Sequence, residues 1–192
     1  MLSKAQKVLL VLVLIVAVTG VLLAQQNDQP AGKDVNGGQG SESPNPGVTT
    51  VELTLYFSDD QAMYLVPEQR KVAIGEGESI AEAVVKELIK GPSSAGLKRT
   101  IPPETSLLSL SIEKGVAEVD FSRGIQDSRY GGSAGESMLI YSIVNSLTEL
   151  PEINQVQILV EGKKIESLYG HIGIAEPLDP NPGLVQGNDQ KL

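Results

Sequence analysis

Ser79-Ile-Ala-Glu-Ala-Val-Val-Lys-Glu-Leu-Ile-Lys-Gly-Pro92 (SIAEAVVKELIKGP) carries its own start, face and stop. Ser79 and Glu82 stand at the S-x-x-E spacing of a capping box, in which each side chain satisfies a backbone N–H of the other residue. Ile80, Val84 and Leu88 fall along one face of a helix from about Ile80 to Lys90. Gly91 tolerates positive φ and Pro92 cannot continue the helix, so the element stops there.

That stop decides how the next stretch, GPSSAGLKRT (residues 91–100), is read. Two glycines four residues apart, followed by Lys98, Arg99 and Thr100, look like a phosphate-binding loop. Such a loop leads from a strand into a helix N-terminus, where backbone N–H groups converge on the anion. Here the glycines follow a helix C-terminus, whose dipole repels phosphate. Leu97 also stands where the motif needs lysine. The stretch therefore reads as a helix stop and an exposed basic loop, with Lys98 and Arg99 as candidates for docking an acidic partner.

Working outward, Val51, Leu53, Leu55 and Phe57 alternate as a half-buried strand. Asp59-Asp60-Gln61 turns the chain, and Tyr64–Ile74 is extended, with Pro67 placing it at an edge or bend. Leu108, Leu110 and Ile112 alternate, Lys114-Gly115 turns, and Ala117, Val119 and Phe121 alternate again: a hairpin with Glu118 and Asp120 toward solvent. Ser133 and Glu136 give a second capping box, opening a helix whose core face is Ile140, Ile143, Val144 and Leu147, with Pro151 just past its end. Val156, Ile158 and Val160 form a strand, and Glu161-Gly162-Lys163 turns into a last extended piece ending near Tyr169. The order is β-β-α-β-β-α-β-β. One-sided helices and strands bury their faces as layers, so the expected fold is α+β: a two-layer domain with two amphipathic helices packed on an antiparallel or mixed sheet.

The flanks differ in kind. Val8–Ala24 is an uncharged run of seventeen residues, preceded by Lys4 and Lys7. At 1.5 Å per residue it covers roughly 25 Å, near the short end of a bilayer span. Residues 1–24 read as a signal anchor or transmembrane helix, with the N-terminus cytoplasmic and the domain extracytoplasmic. The alternative is a signal peptide cut after Ala24 and a secreted product. Residues 25–48, rich in Gly, Pro, Asn and Ser, read as a flexible linker; 49–176 is the globular domain and 177–192 a disordered tail. The 192 residues hold no cysteine, which removes disulfides, thiolate metal sites, cysteine nucleophiles and lipid attachment at an N-terminal cysteine. A net charge of −9 argues against nucleic acid as a partner.

Nothing marks a catalytic site or a cofactor. His171 is the lone histidine and reads as a surface or packing residue. Asp59/Asp60 and Glu118/Asp120 read as a turn and a solvated strand face. If a small ligand binds, the first place is the glycine-rich loop before the second helix: Tyr130, Gly131, Gly132, Ser133 and Glu136.

Leu55-Tyr-Phe57, Tyr64-Leu-Val-Pro67, Glu87-Leu-Ile-Lys-Gly-Pro92 with Ile101-Pro102, and Gly115-Val-Ala-Glu-Val-Asp-Phe-Ser122 occur in sequence. Gly135-Glu136, Ile143-Val-Asn-Ser-Leu147 and Val156–Gly162 follow. In this order and spacing, the chain from about Thr50 to Leu178 resembles the GerMN domain of sporulation and spore-germination envelope proteins. The resemblance implies a non-catalytic extracytoplasmic domain, similar to the ring-building modules of sporulation secretion complexes. It implies extracytoplasmic envelope proteins or further copies of itself as partners. Members are tethered by a lipid-modified cysteine or an N-terminal helix; this chain departs in lacking the cysteine and in carrying one copy of the domain where tandem members carry two. The reading is a membrane-tethered interaction domain that assists assembly of an envelope complex. The alternatives are a sensor of a small ligand or cell-wall fragment and, further off, an envelope hydrolase.

Overall fold

Alternating apolar residues and the Asp59 turn give the first half of the fold its shape. In the computed structural model, which describes residues 49–126 and 132–187, β1 (Thr49–Ser58) pairs antiparallel with β2 (Leu65–Ile74) along its whole length. Asp59 holds the turn between them: its Oδ1 accepts the N–H groups of Met63 (2.8 Å) and Tyr64 (3.3 Å). Leu53, Leu55 and Phe57 are buried on the inner face of β1. Pro67 lies opposite Tyr56 on β2, which among the described residues has only β1 beside it as a strand, so the missing N–H disturbs no second ladder there. The proposed anchor at 1–24 and linker at 25–48 lie outside the described residues.

Helix α1 (Ile80–Lys90) forms as its sequence dictates. Ser79 Oγ accepts the Glu82 N–H at 3.1 Å, and the Glu82 carboxylate accepts the Ser79 N–H at 2.9 Å. Val84, Val85 and Leu88 are buried beneath it, while Ile80 at the N-terminus is 40% exposed.

The remaining strands make a second sheet. β3 (Leu107–Glu113) and β4 (Val116–Phe121) are the expected hairpin, turned through positive φ at Lys114 and Gly115. β5 (Gln155–Val160) then pairs parallel with β4, giving a mixed sheet in the order β3-β4-β5. The fold is α+β as expected, but with two sheets in place of one. Helix α2 (Ser133–Leu147) connects β4 to β5 and packs against β1, β5 and α1.

That central position corrects the expectation of a one-sided second helix. Met138, Leu139, Ile140 and the whole run Ser142–Leu147 are buried. Three of these residues are polar, and each has a partner. Ser146 Oγ accepts the Tyr56 N–H of β1 (2.9 Å), and Ser142 Oγ donates to the Leu139 carbonyl oxygen (2.8 Å). Asn145 Nδ2 donates to the Asn181 carbonyl oxygen (3.0 Å), and its Oδ1 accepts the Asn181 N–H (2.8 Å).

Three further expectations are overturned. Asp120 is 8% exposed and not solvated, because its Oδ1 accepts the Gly162 N–H at 2.9 Å. The extended piece after Lys163 is no strand beyond an isolated bridge between Val160 and Lys163. Its backbone donors are spent on a side chain of α2. The stretch expected as a tail packs on the domain through Gly187: Leu178 bridges Val156, and Val185 bridges Leu65. Leu184 and Val185 cover a small apolar cluster of Tyr56, Leu65 and Met138.

Truncation after Glu176 removes the Asn145–Asn181 pair, worth about 1 kcal/mol per bond. It also uncovers Leu65, at about 1.5 kcal/mol or more for an apolar side chain. Urea denaturation of the shortened chain is expected to show a loss of about 3 kcal/mol; an unchanged midpoint would show that this segment adds nothing to the fold.

Candidate functional site

The loop at 91–100 takes its shape from charges beneath it. Gly91 (φ 88°) ends α1, with its N–H on the Leu88 carbonyl oxygen at 3.0 Å. The next free donors, the N–H groups of Ser93 and Ser94, point to Glu68 Oε2 of β2 at 3.0 and 2.7 Å. A protein carboxylate thus fills the place a phosphate would need. Arg70 bonds the same Glu68 carboxylate, Glu87 Oε2 of α1 at 2.8 Å and the Gly91 carbonyl oxygen at 3.0 Å. Its guanidinium carbon stands 5.6 Å from the centre of the Phe57 ring.

Both carboxylates are nearly buried. Burial alone would raise the Glu68 carboxyl, but hydrogen bonds from Ser94 and Arg70 outweigh it and hold it below the ordinary range. Burial likewise opposes ionisation of Glu87, and bonds from Lys90 and Arg70 reverse the balance. Desolvation works against the charge on Arg70, yet its two carboxylate partners raise its pKa.

Lys98 and Arg99, the docking candidates, part company. Lys98 is exposed, with its N–H on the Ser58 carbonyl oxygen at 2.8 Å. Arg99 turns back on α1, where its guanidinium donates to the Ile89 and Lys90 carbonyl oxygens and caps the helix C-terminus. A Cβ at Gly91 would meet that guanidinium at 2.8 Å, a second reason for glycine there. Arg99 is therefore a structural cap and not a free cation.

The second candidate loop is corrected more sharply. Tyr130 and Gly131 lie outside the described residues. Gly132 (φ 87°) is the N-cap of α2, with no side-chain capping bond, and Ser133 is the exposed first residue of the helix. Glu136 is fully buried and serves a different segment. Its Oε1 accepts the N–H groups of Leu168 (3.1 Å) and Tyr169 (2.7 Å), and its Oε2 that of His171 (2.8 Å). The His171 side chain stays on the surface.

The structure nevertheless brings the two loops together. Lys98, Arg99 and Thr100 line a cleft of about 340 Å³ with Asp59, Asp60, Ala134 and Gly135. Lys98 and Asp60 are its exposed charges, and Met63, 60% exposed, belongs to the same turn. Asp59 is occupied by its turn. Among the described residues, no three His, Cys, Asp or Glu side chains group as a metal site.

Sequence reasoning missed a second surface, the outer edge of β3. It has no strand beside it among the described residues, and its apolar side chains are incompletely covered: Leu108 is 51% and Ile112 40% exposed. A shift in pairing between Leu107 and Ser109 turns Leu108 outward. A bulge leaves no trace in a period-two pattern, so Leu108 read as part of the inward face; Ile112 is regularly paired with Ala117 and is exposed near the strand end.

Comparison with known proteins fits this geometry. The family model described as Germane, sporulation and spore germination, matches residues 54–166. The spore germination protein GerM of Bacillus subtilis (strain 168) is 33% identical over 129 residues, 62% of this chain and 34% of that protein. The chain thus spans about a third of the length of this curated relative. A Clostridium perfringens chain assigned as a lipoprotein superposes with a TM-score of 0.50 at 26% identity, over 69% of this chain and 88% of its own. The first GerMN domain of Bacillus subtilis GerM gives a TM-score of 0.55 at 22% identity, covering 68% of this chain and 98% of that domain.

Two measurements test the clasps. Stability from Glu68 and Glu87 is fully present above the ordinary carboxylate pKa, about 4.3, and is lost as pH falls through their depressed values. Arg70→Met is expected to cost about 3 kcal/mol at neutral pH, because the buried Glu68 loses its cation and the buried Glu87 keeps Lys90 alone. The gap from wild type in urea denaturation should narrow as pH drops toward 3, and a pH-independent gap would exclude the ionic account. Glu136→Ala is expected to cost at least about 3 kcal/mol through three orphaned N–H groups. Ser133→Ala should stay within about 0.5 kcal/mol; the reverse ranking would restore the capping box.

Proposed function

This chain belongs to the Germane family of sporulation and spore germination, and on that premise we propose that it is a non-catalytic, membrane-tethered interaction domain that helps assemble an envelope complex outside the cytoplasmic membrane. Val8–Ala24 is the anchor in this reading, and residues 25–48 set the reach of the domain. Among the described residues, no helix is long and apolar enough to cross a membrane; the assigned anchor lies outside them and rests on its apolar sequence and basic flank.

The observation that carries the reading is the open edge of β3. A free edge presents a row of backbone donors and acceptors, and an extended segment of a partner adds to it as a further strand. Leu108 and Ile112 supply apolar contacts beside that ladder. The partner is an extracytoplasmic envelope protein. Lys98, exposed at the rim of the first cleft, is a secondary contact for an acidic neighbour.

A photo-crosslinking residue placed at Leu108 or Ile112 in sporulating cells is expected to give an adduct with an envelope protein. Leu108→Lys with Ile112→Lys should abolish capture of that protein while leaving the urea midpoint within about 1 kcal/mol, since both side chains are already half exposed. An adduct with a second copy of the chain alone would replace this partner by self-association. Adducts confined to probes at distant surface positions would overturn the edge as the interface.

A further inference from the structure

The outer face of the β3-β4-β5 sheet carries a second cleft, about 350 Å³ in volume. Ser111, Glu118 and Gln157 stand in one row across its floor, paired Ser111 to Glu118 and Glu118 to Gln157. Lys114 of the hairpin and Lys164 and Pro177 of the segment after β5 form the walls.

Gln157 is the unusual member. It is 2% exposed, and its Nε2 donates to the carbonyl oxygens of Ile158 (3.2 Å) and Ile174 (2.9 Å). Those two bonds fix the orientation of the amide and leave Oε1 buried with no partner. A buried acceptor left unpaired is costly, so a donor entering the cleft gains an interaction that the protein alone does not make. One strand away, about 4.8 Å, Glu118 is exposed and has no ion-pair partner among the described residues. Lys164, exposed at the rim, likewise has no ion-pair partner among the described residues, and Lys114 stands 3.7 Å from Glu113, an exposed carboxylate that also lines the cleft.

We propose that this cleft binds a small zwitterion, namely the free amino and carboxylate groups of an amino acid or short peptide. The ammonium donates to Gln157 Oε1 and to the Glu118 carboxylate on the floor. The carboxylate lies against Lys164 and Lys114 at the wall. The volume is at the small end of the range for ligand sites, which suits a molecule of one or two residues. The site goes beyond the assembly role and shares no residue with the β3 side chains tested there, so failure of one leaves the other standing.

The test titrates the full chain, ¹⁵N-labelled in detergent micelles, with the dipeptide alanylalanine and its N-acetylated and C-amidated forms. Saturable amide shifts are expected at Glu118, Gln157 and Lys164, with a Kd in the millimolar range or tighter. Acetylation should weaken binding about tenfold or more, equivalent to about 1.4 kcal/mol, and amidation should weaken it several-fold. Lys164→Ala should remove the sensitivity to amidation, and Gln157→Leu the sensitivity to acetylation. Glu118→Gln, at an exposed position, repeats the acetylation arm should Gln157→Leu disturb the fold. No shift at tens of millimolar dipeptide overturns the proposal. Equal affinity for the acetylated form, or shifts confined to other surfaces, overturns it as well.

Discussion

Carboxylates that accept backbone N–H groups hold this domain's irregular segments in place. Glu68 takes the donors of Ser93 and Ser94, Glu136 those of Leu168, Tyr169 and His171, Asp120 that of Gly162, and Asp59 those of Met63 and Tyr64. Each closes a loop that has no strand or helix to satisfy its backbone. The chain has no cysteine, so disulfides cannot do this work. A hydrogen bond to a charged acceptor is about twice as strong as a neutral one, and a bidentate carboxylate takes two or three at once. The most buried of these clasps bind the two sheets to the helices: Glu68 reaches from β2 to the end of α1, and Glu136 from α2 to the segment after β5.

The cost of this arrangement falls on burial. A carboxylate removed from water needs donors in place of those it loses. Glu136 has three N–H groups. Glu68 and Glu87 need Arg70 between them, and Arg70 in turn lies against Phe57 and the Gly91 carbonyl oxygen. The helix stop at Gly91 is therefore more than a local event. Its carbonyl, its neighbours' N–H groups and the space beside its Cα are all claimed, by Arg70, Glu68 and Arg99 respectively.

This explains which parts of the molecule were legible in the sequence. Local signals were: the capping box of Ser79 and Glu82, the alternation of β1 and the Lys114-Gly115 hairpin. Signals that depend on partners far along the chain were not. Ser133 and Glu136 match the capping spacing, but Glu136 is drawn to residues 168–171, more than thirty positions away. Ser142, Asn145 and Ser146 made α2 look one-sided because a polar letter reads as solvent; all three are buried, Ser142 against Thr100 Oγ1 and its own helix, Asn145 against Asn181 and Ser146 against β1. Asn181, the partner of Asn145, also explains why a polar, proline-rich stretch is no loose tail. Of the candidate site residues, Lys98 kept its exposure, whereas Arg99 and Glu136 proved to be structural for the same reason: charged groups near bare backbone ends are captured by them.

The same accounting separates the charges that build the fold from those left to meet other molecules. An acidic composition suggests many free carboxylates, yet Asp59, Glu68, Glu87, Asp120 and Glu136 are all consumed by backbone or by Arg70. Each of the five spends at least one oxygen on holding the fold. Besides Lys98 and Asp60 at the first cleft, the uncommitted groups include two surfaces of the second sheet: the open ladder of β3 with Leu108 and Ile112, and the row of Glu118, Gln157 Oε1 and Lys164 across its outer face. Helix and loop cover the inner face of that sheet and the far side of β5, so one edge and one face of this sheet stay open. A domain organised this way presents unpaired hydrogen-bonding groups on a rigid support, which is the physical requirement for binding a partner without remodelling it.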